Sequence, residues 1–332
     1  MDLLSIKPHV VSRDLSGYVT YIYGIPKIGK TSLAAQTDGA LLLAFEPGYK
    51  AIPGIIAQDI TSWGKFREAL KELKKPEVQA TFKTVIVDTV DLAVTFCEKY
   101  ICSQQGVESI GDLGYGKGFK MVQKELEESF RSIVQMGYAL FFIAHSQDKT
   151  LTREDGSSYD KAVPTVSPSY NRVIAGMSDV YAYAHKVQSS DGEWNVMLTL
   201  RSPDNSAETG CRFKYIASEI PFTYDDLNKA VNDAIDKIAE INGKEAVTDK
   251  RETVKINVEP DFDELMVKFQ DMVHKLQDAA GDKFATVWAP RIVEITNRHL
   301  GKGKKVSDCT REQVEQLECI VNDLESQIAD GI

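Results

Sequence analysis

Apolar positions fall into two alternating patterns along most of the chain. Residues 18–23 (YVTYIY), 40–45 (ALLLAF), 85–89 (VIVDT) and 138–145 (YALFFIAH) are solid runs rich in β-branched and aromatic residues, which predict buried strands. Between them the apolar residues recur at every third or fourth position. A helix opens at residues 31–36; Trp63, Phe66, Leu70 and Leu73 mark the next, and residues 92–101 another. A glycine-rich loop (Gly106, Gly111, Gly114, Gly116, Gly118) then leads into a long helix with Phe119, Val122, Leu126, Phe130 and Ile133 on one stripe. Strands alternating with helices, without hairpin turns between them, predict an α/β fold: a mainly parallel sheet with helices on both faces.

After residue 145 the pattern changes. Residues 146–171 are polar and turn-rich (Asp155-Gly156, Ser167-Pro168) and lack periodicity, which predicts a long functional loop. Residues 180–187, 194–200 and 211–216 predict strands, the first two joined at Asp191-Gly192, and residues 225–241 predict a helix. Charge then replaces apolar spacing, so residues 242–260 are expected to link a core of residues 1–241 to a small domain of residues 261–332. That domain reads as helical. Phe262, Leu265, Met266, Phe269, Val273 and Leu276 form one stripe, and residues 282–300 form a second region interrupted at Pro290. Thr310 and Gln313 are spaced to cap a last helix carrying Val314, Leu317, Val321, Leu324 and Ile328. Residues 1–17 form a polar lead-in with one short strand, and no internal repeat is visible.

Composition narrows the class. A chain of 332 residues with 43% hydrophobic and 27% charged residues has the make-up of a soluble protein with more than one domain. No apolar run reaches the ~20 residues of a membrane span, and residues 1–7 lack the character of a signal peptide. The five cysteines form no C-x-x-C pair, which fits a reducing cytoplasm and argues against disulfides or zinc. A net charge of -10 confines any contact with a polynucleotide to a local patch.

Candidate chemistry begins right after the first strand. Gly24, Ile25, Pro26, Lys27, Ile28, Gly29, Lys30 and Thr31 match G-x-x-x-x-G-K-[ST] at every fixed position, followed by Ser32 in the helix. Such a loop turns backbone N–H groups toward phosphates at a helix N-terminus. Lys30 is expected on the β- and γ-phosphates of ATP and the Thr31 hydroxyl on Mg²⁺. Asp88, ending an apolar strand downstream, is expected to hold the same metal. The residue after it is Thr89, where many phosphate-loop ATPases carry a catalytic glutamate. The carboxylate that activates water must therefore come from elsewhere, and Glu46 stands at the tip of the strand after the phosphate-loop helix.

These runs together resemble RecA-like ATPases. Residues 40–48 (ALLLAFEPG) resemble the family's strand ending in the catalytic glutamate, and residues 85–89 its magnesium strand. Residues 109–114 (SIGDLG) with the helix from Phe119 resemble its first DNA-binding loop, and residues 141–146 (FFIAHS) the strand whose polar end senses the γ-phosphate. The polar tract behind that strand corresponds to the second DNA-binding loop. The Gly-Ile-Pro-Lys and Phe-Glu-Pro-Gly steps are most similar to phage ATPases, including single-strand annealing proteins of the Sak type.

The resemblance implies a RecA-like phosphate-loop core with antiparallel extension strands and a small C-terminal helical domain. It also implies a Mg²⁺- and ATP-dependent recombination protein that binds single-stranded DNA and works by annealing or strand pairing. Catalytic roles follow for Lys30, Glu46 and His145, and Arg201 is expected to reach a neighbouring subunit's nucleotide, with Lys186 and Arg212 as alternatives. A homo-oligomer, ring or filament, and a single-strand-binding protein are the implied partners. Lys117, Lys120, Lys149, Arg153, Lys161 and Arg172 would pair DNA phosphates, with Tyr115, Phe119 and Tyr170 as stacking platforms. A helicase loader or motor with the same core, or an ATP-stabilised binding module, remains the alternative.

Overall fold

The computed structural model describes residues 8–153, 155–252 and 262–329. The N-terminal residues 1–7 and the later part of the expected linker, 253–260, lie outside the described residues. The chain divides into two compact units, Met1–Ile256 and Asn257–Ile332.

The first unit is built on one sheet. In chain order its elements are β1 (Val11–Ser12), β2 (Val19–Gly24), α1 (Lys30–Ala34), β3 (Ala40–Ala44), β4 (Ala57–Asp59), α2 (Trp63–Leu73), α3 (Pro76–Thr81), β5 (Thr84–Asp88) and α4 (Val90–Gln105). Then follow α5 (Lys117–Gln135), β6 (Ala139–Thr152), β7 (Ser158–Pro164), α6 (Pro168–Met177), β8 (Val180–Gln188), β9 (Trp194–Thr199), β10 (Gly210–Cys211), β11 (Glu219–Pro221), α7 (Tyr224–Asn242) and β12 (Val247–Thr248). The sheet order is β11-β9-β8-β2-β6-β5-β3-β4. Strands β8, β2, β6, β5, β3 and β4 run parallel, and β9 and β11 extend the sheet antiparallel.

Because the central strands are buried on both faces, each residue of a solid apolar run has a core to enter. Tyr21, Tyr23, Val85, Val87 and Phe142 point into one core, with Trp63, Phe66, Leu126 and Phe130 from α2 and α5. Ile22, Leu42, Ile86 and Ile143 point into the other, with Leu33 from α1 and Val231 and Ile235 from α7. The register sets what meets at the carboxyl edge. Gly24 pairs with His145 and with Ala184, and Asp88 pairs with Ile143 and with Ala44.

Three segments of the first unit differ from expectation. Of residues 211–216, expected as a strand, only Cys211 is in one, the two-residue β10, and the rest turn away from the sheet. Residues 146–171 are not a structureless loop. Strand β6 runs on past the sheet to Thr152 and turns back as β7, an antiparallel ribbon from Ser146↔Pro164 to Thr152↔Ser158, and α6 begins at Pro168. The ribbon has no continuous apolar face, so its sequence carries no period-two signal. Residues 242–252, expected as the start of a linker, belong to the first unit. Val247 and Thr248 pair with Val11 and Ser12, and the Arg251 guanidinium donates to the carbonyls of Ser16, Lys83 and Gly137 at 2.8–3.0 Å. Backbone and guanidinium bonds hold this segment, which is why hydrophobic spacing misses it.

The second unit packs α8 (Phe262–Ala280), α9 (Ala289–Leu300) and α10 (Val314–Ala329) around Leu276, Trp288, Ile295, Leu317, Val321 and Leu324. The chain does not break at Pro290 as expected: a π-helical turn over Phe284–Trp288 runs directly into α9, with Pro290 in its first turn. Gln313 accepts from the Thr310 N–H at 3.2 Å ahead of α10. Among the described residues no helix is long and apolar enough to cross a membrane.

Candidate nucleotide site

The phosphate loop hangs between β2 and α1. At Gly24 the strand passes so close to β8 that a Cβ would lie 2.5 Å from the Ala184 carbonyl oxygen, so only glycine fits. Gly29 caps α1 with φ at +103°, a left-handed conformation that glycine adopts without strain. The helix N-terminus thereby faces the loop's interior. Lys30 is 6% exposed, and its ammonium donates to the carbonyls of Gly24 and Ile25 at 2.9 and 2.8 Å. Burial lowers its pKa, opposed by the charges of Asp88, Asp91 and Glu46.

Across the loop, the Thr31 hydroxyl donates to Asp88 Oδ2 at 2.6 Å. Asp88 is 3% exposed, and burial pushes its carboxyl up to about 6; the Thr31 hydrogen bond and the Lys30 charge pull it down, and the Glu46 and Asp91 charges raise it. A carboxylate and a hydroxyl at this spacing are the hard oxygen pair that Mg²⁺ takes, with phosphate and water completing the shell. Residues Gly24 to Ser32 with Asp88 thus fit Mg-ATP: a glycine-turned loop at a helix N-terminus, a buried ammonium, and a carboxylate that burial leaves in need of a cation. Bound Mg²⁺ would neutralise charge on the phosphates and orient them.

Glu46 lies two positions past Ala44, itself opposite Asp88 in register. Its backbone turns around the end of β5: the N–H groups of Phe45 and Glu46 both donate to the Asp88 carbonyl, at 2.7 and 3.3 Å. The carboxylate is half-buried, and its charge acts on both Asp88 and Lys30. The chain therefore brings Lys30, Thr31, Asp88 and Glu46 to one edge.

His145 shares that edge, level with Gly24. Its Nδ1 lies 2.7 Å from Asp91 Oδ2, in the first turn of α4. Sequence reasoning missed Asp91. The one available signal is a second acid three residues after Asp88, at the start of a helix on the nucleotide edge.

Other expected residues are placed differently. Arg201 lies away from its own chain's triphosphate edge. Strand β9 is antiparallel, so its C-terminal end lies toward the amino ends of the parallel strands, and the guanidinium donates to the carbonyls of Phe213 and Cys211 at 2.9 and 3.4 Å. Arg212 lies at that same far edge, ion-paired with Asp179 at 3.0 Å just before β8. Lys186, two residues beyond Ala184, is exposed at the carboxyl edge.

Among the expected DNA contacts, Lys117, Lys120, Lys149, Arg153 and Arg172 are exposed. Arg153 lies over the Tyr159 ring at 4.3 Å, and Lys161 is half-buried, donating to Asn205 at 2.7 Å. Tyr170 is no platform: it is 1% exposed and donates to Glu98 at 2.8 Å. Tyr115 is fully exposed at φ +46°, and Phe119 leans over the covered Tyr170 with ring centroids 6.5 Å apart. The start of α5 and the start of α6 are thus neighbours, also joined by the Gln123 amide donating to the Ser169 carbonyl at 2.9 Å. Tyr23, one residue before the phosphate loop, ties the ribbon to the core, donating to the Ala162 carbonyl at 3.0 Å and accepting from the Glu208 N–H at 2.9 Å.

Residues 16–211 match the AAA domain family. A relative described as an SPbeta prophage-derived uncharacterized protein, YorG of Bacillus subtilis (strain 168), is 31% identical over 343 residues, covering 99% of each chain. The match begins before the phosphate loop and takes in the edge where Lys30, Thr31, Asp88, Glu46 and His145 converge. The chain belongs to this AAA domain family of phosphate-loop ATPases.

Proposed function

We propose that this chain is a phage-type, Mg²⁺-dependent ATPase of RecA-like descent that binds single-stranded DNA during recombination, by annealing or strand pairing. Glu46 is the general base: it takes a proton from the attacking water as the new P–O bond forms at the terminal phosphorus and ADP departs. Lys30 holds the phosphates, and Thr31 with Asp88 holds the metal. The prophage origin of the 31%-identical relative supports the phage assignment.

The observation that carries the DNA reading is the continuity of β6. The same strand holds His145 beside Gly24 and, without a break, becomes the ribbon with Lys149. A contact made by His145 with a terminal phosphate therefore bears directly on the ribbon. The glycine loop adds Tyr115, Lys117, Phe119 and Lys120, and α6 adds Arg172, a set of phosphate-pairing cations with exposed rings suited to a single strand. Lys186 is the cation we assign to a neighbouring subunit's nucleotide in an oligomer, in place of Arg201. The exposed Lys302, Lys304 and Lys305 make the second unit a support for DNA or for a partner such as a single-strand-binding protein.

The test is ATP turnover with and without oligo(dT), together with oligo(dT) binding with and without ATP. Stimulation in both directions is expected. Turnover that responds to a replicative helicase but not to DNA would replace this reading with a loader, and ATP binding without turnover would replace it with an assembly module.

A further inference from the structure

We infer that Asp91 is the positioning residue for His145, fixing through Nδ1 which ring nitrogen is turned toward the phosphate loop. The inference rests on the reading of His145 as the group that meets the terminal phosphate. Asp91 Oδ2 accepts from His145 Nδ1 at 2.7 Å and from the Thr165 hydroxyl at 3.2 Å. The Thr165 N–H in turn donates to the His145 carbonyl at 2.9 Å. One carboxylate oxygen thus joins the start of α4, the edge residue of β6 and the turn after β7. Both side chains are largely covered, His145 at 22% and Asp91 at 20% exposure.

An ionised carboxylate only accepts hydrogen bonds, so Nδ1 carries a proton and Nε2 is the nitrogen left for a ligand. His145 lines a cleft of about 560 Å³ together with Pro26 of the phosphate loop, Asp91, Thr95, Glu98 and Thr165. A ring that donates to a phosphate oxygen through Nε2 while donating through Nδ1 is positively charged, and Asp91 sits where it offsets that charge. Apart from the His145 ring and the Thr165 hydroxyl, no other described side chain bonds this carboxylate. No lysine or arginine among the described residues pairs with it, its Oδ1 is buried without a hydrogen-bond partner, and Glu98, the other acid of the cleft, is taken by Tyr170.

A purely structural reading also exists, because an acid in the first turn of a helix stabilises it through the helix dipole. A double-mutant cycle on the full chain separates the two. Asp91→Asn should leave ATP affinity within about threefold and lower kcat at least ~10-fold, the usual cost of removing a ligand-orienting partner. In the His145→Gln background the same change should cost less than about twofold, since a glutamine amide has no tautomer to fix. An equal loss in both backgrounds, or a fall in ATP affinity with kcat, would assign Asp91 to helix capping and overturn the inference. Histidine ¹⁵N spectra of the unaltered protein give a reading that needs no variant. A proton on Nδ1 of His145 is expected, and a neutral ring protonated at Nε2 alone contradicts the inference. If the unaltered protein hydrolyses no ATP, the proposed function fails while the tautomer measurement still decides on Asp91.

Discussion

The nucleotide cradle, whose strands β2 and β5 flank β6, and the β6–β7 ribbon are built on opposite principles. In the cradle, Lys30 and Asp88 are buried, and each polar contact is made by one atom: the Lys30 ammonium on two loop carbonyls, the Thr31 hydroxyl on Asp88. On the ribbon, Gln147, Asp148, Lys149 and Thr150 are all exposed, and the strand pairing carries the structure. A buried charge without its partner costs several kcal/mol, whereas an exposed ion pair is worth about 0–1 kcal/mol. Single substitutions should therefore abolish function in the cradle, and only combined ones should register on the ribbon.

The sharpest break is Lys30→Ala, which should eliminate ATP binding in a filter assay; retained affinity would remove the phosphate-loop assignment altogether. Asp88→Asn should abolish Mg²⁺-dependent turnover and also change the pH dependence of stability. The folded protein holds the Asp88 proton up to about pH 6, while the unfolded chain releases it near pH 4. The folded state therefore binds more protons in this window, and metal-free stability falls as pH rises through it. Relative to the unaltered protein, Asp88→Asn should gain roughly 3 kcal/mol above pH 6 and nothing below pH 4, read by urea unfolding in EDTA. A pH-independent difference would mean that burial does not set the state of this carboxyl.

On the ribbon side the expected changes are smaller. Replacing Lys117, Lys120, Lys149 and Arg172 together should weaken oligo(dT) binding and lower its salt slope by about 0.7 for each phosphate contact removed. An unchanged slope would move the DNA path elsewhere. Least of all, Arg201→Ala should lower the melting temperature by a few degrees without altering kcat per folded molecule, because the guanidinium holds carbonyls of its own chain. A large kcat defect would restore it as a group acting on a neighbour's nucleotide.

The same contrast explains what could be read from the sequence. The cradle is contiguous from Gly24 to Thr31, and Asp88 and Glu46 close solid apolar runs, so strand order alone puts them on one edge. Arg201 fails that logic because only the pairing of β9 with β8 reveals its reversed direction. The ribbon stayed hidden because its β6 half is polar and exposed from Gln147 to Thr150 and only the base of β7, at Ala162 and Pro164, is buried. Asp91 looks like any acid at a helix start until the sheet places His145 against it. Segment 243–252 is held by Arg251 and by main-chain pairing, neither of which leaves a hydrophobic period.

The central claim is that Glu46, in the turn after β3, activates the water that Thr89 leaves without a base after Asp88. A single-turnover chemical quench of Glu46→Gln with Mg-ATP tests it directly. Binding at the unaltered affinity with cleavage slowed at least ~100-fold is expected; cleavage at the unaltered rate would contradict the claim and place the base on another residue.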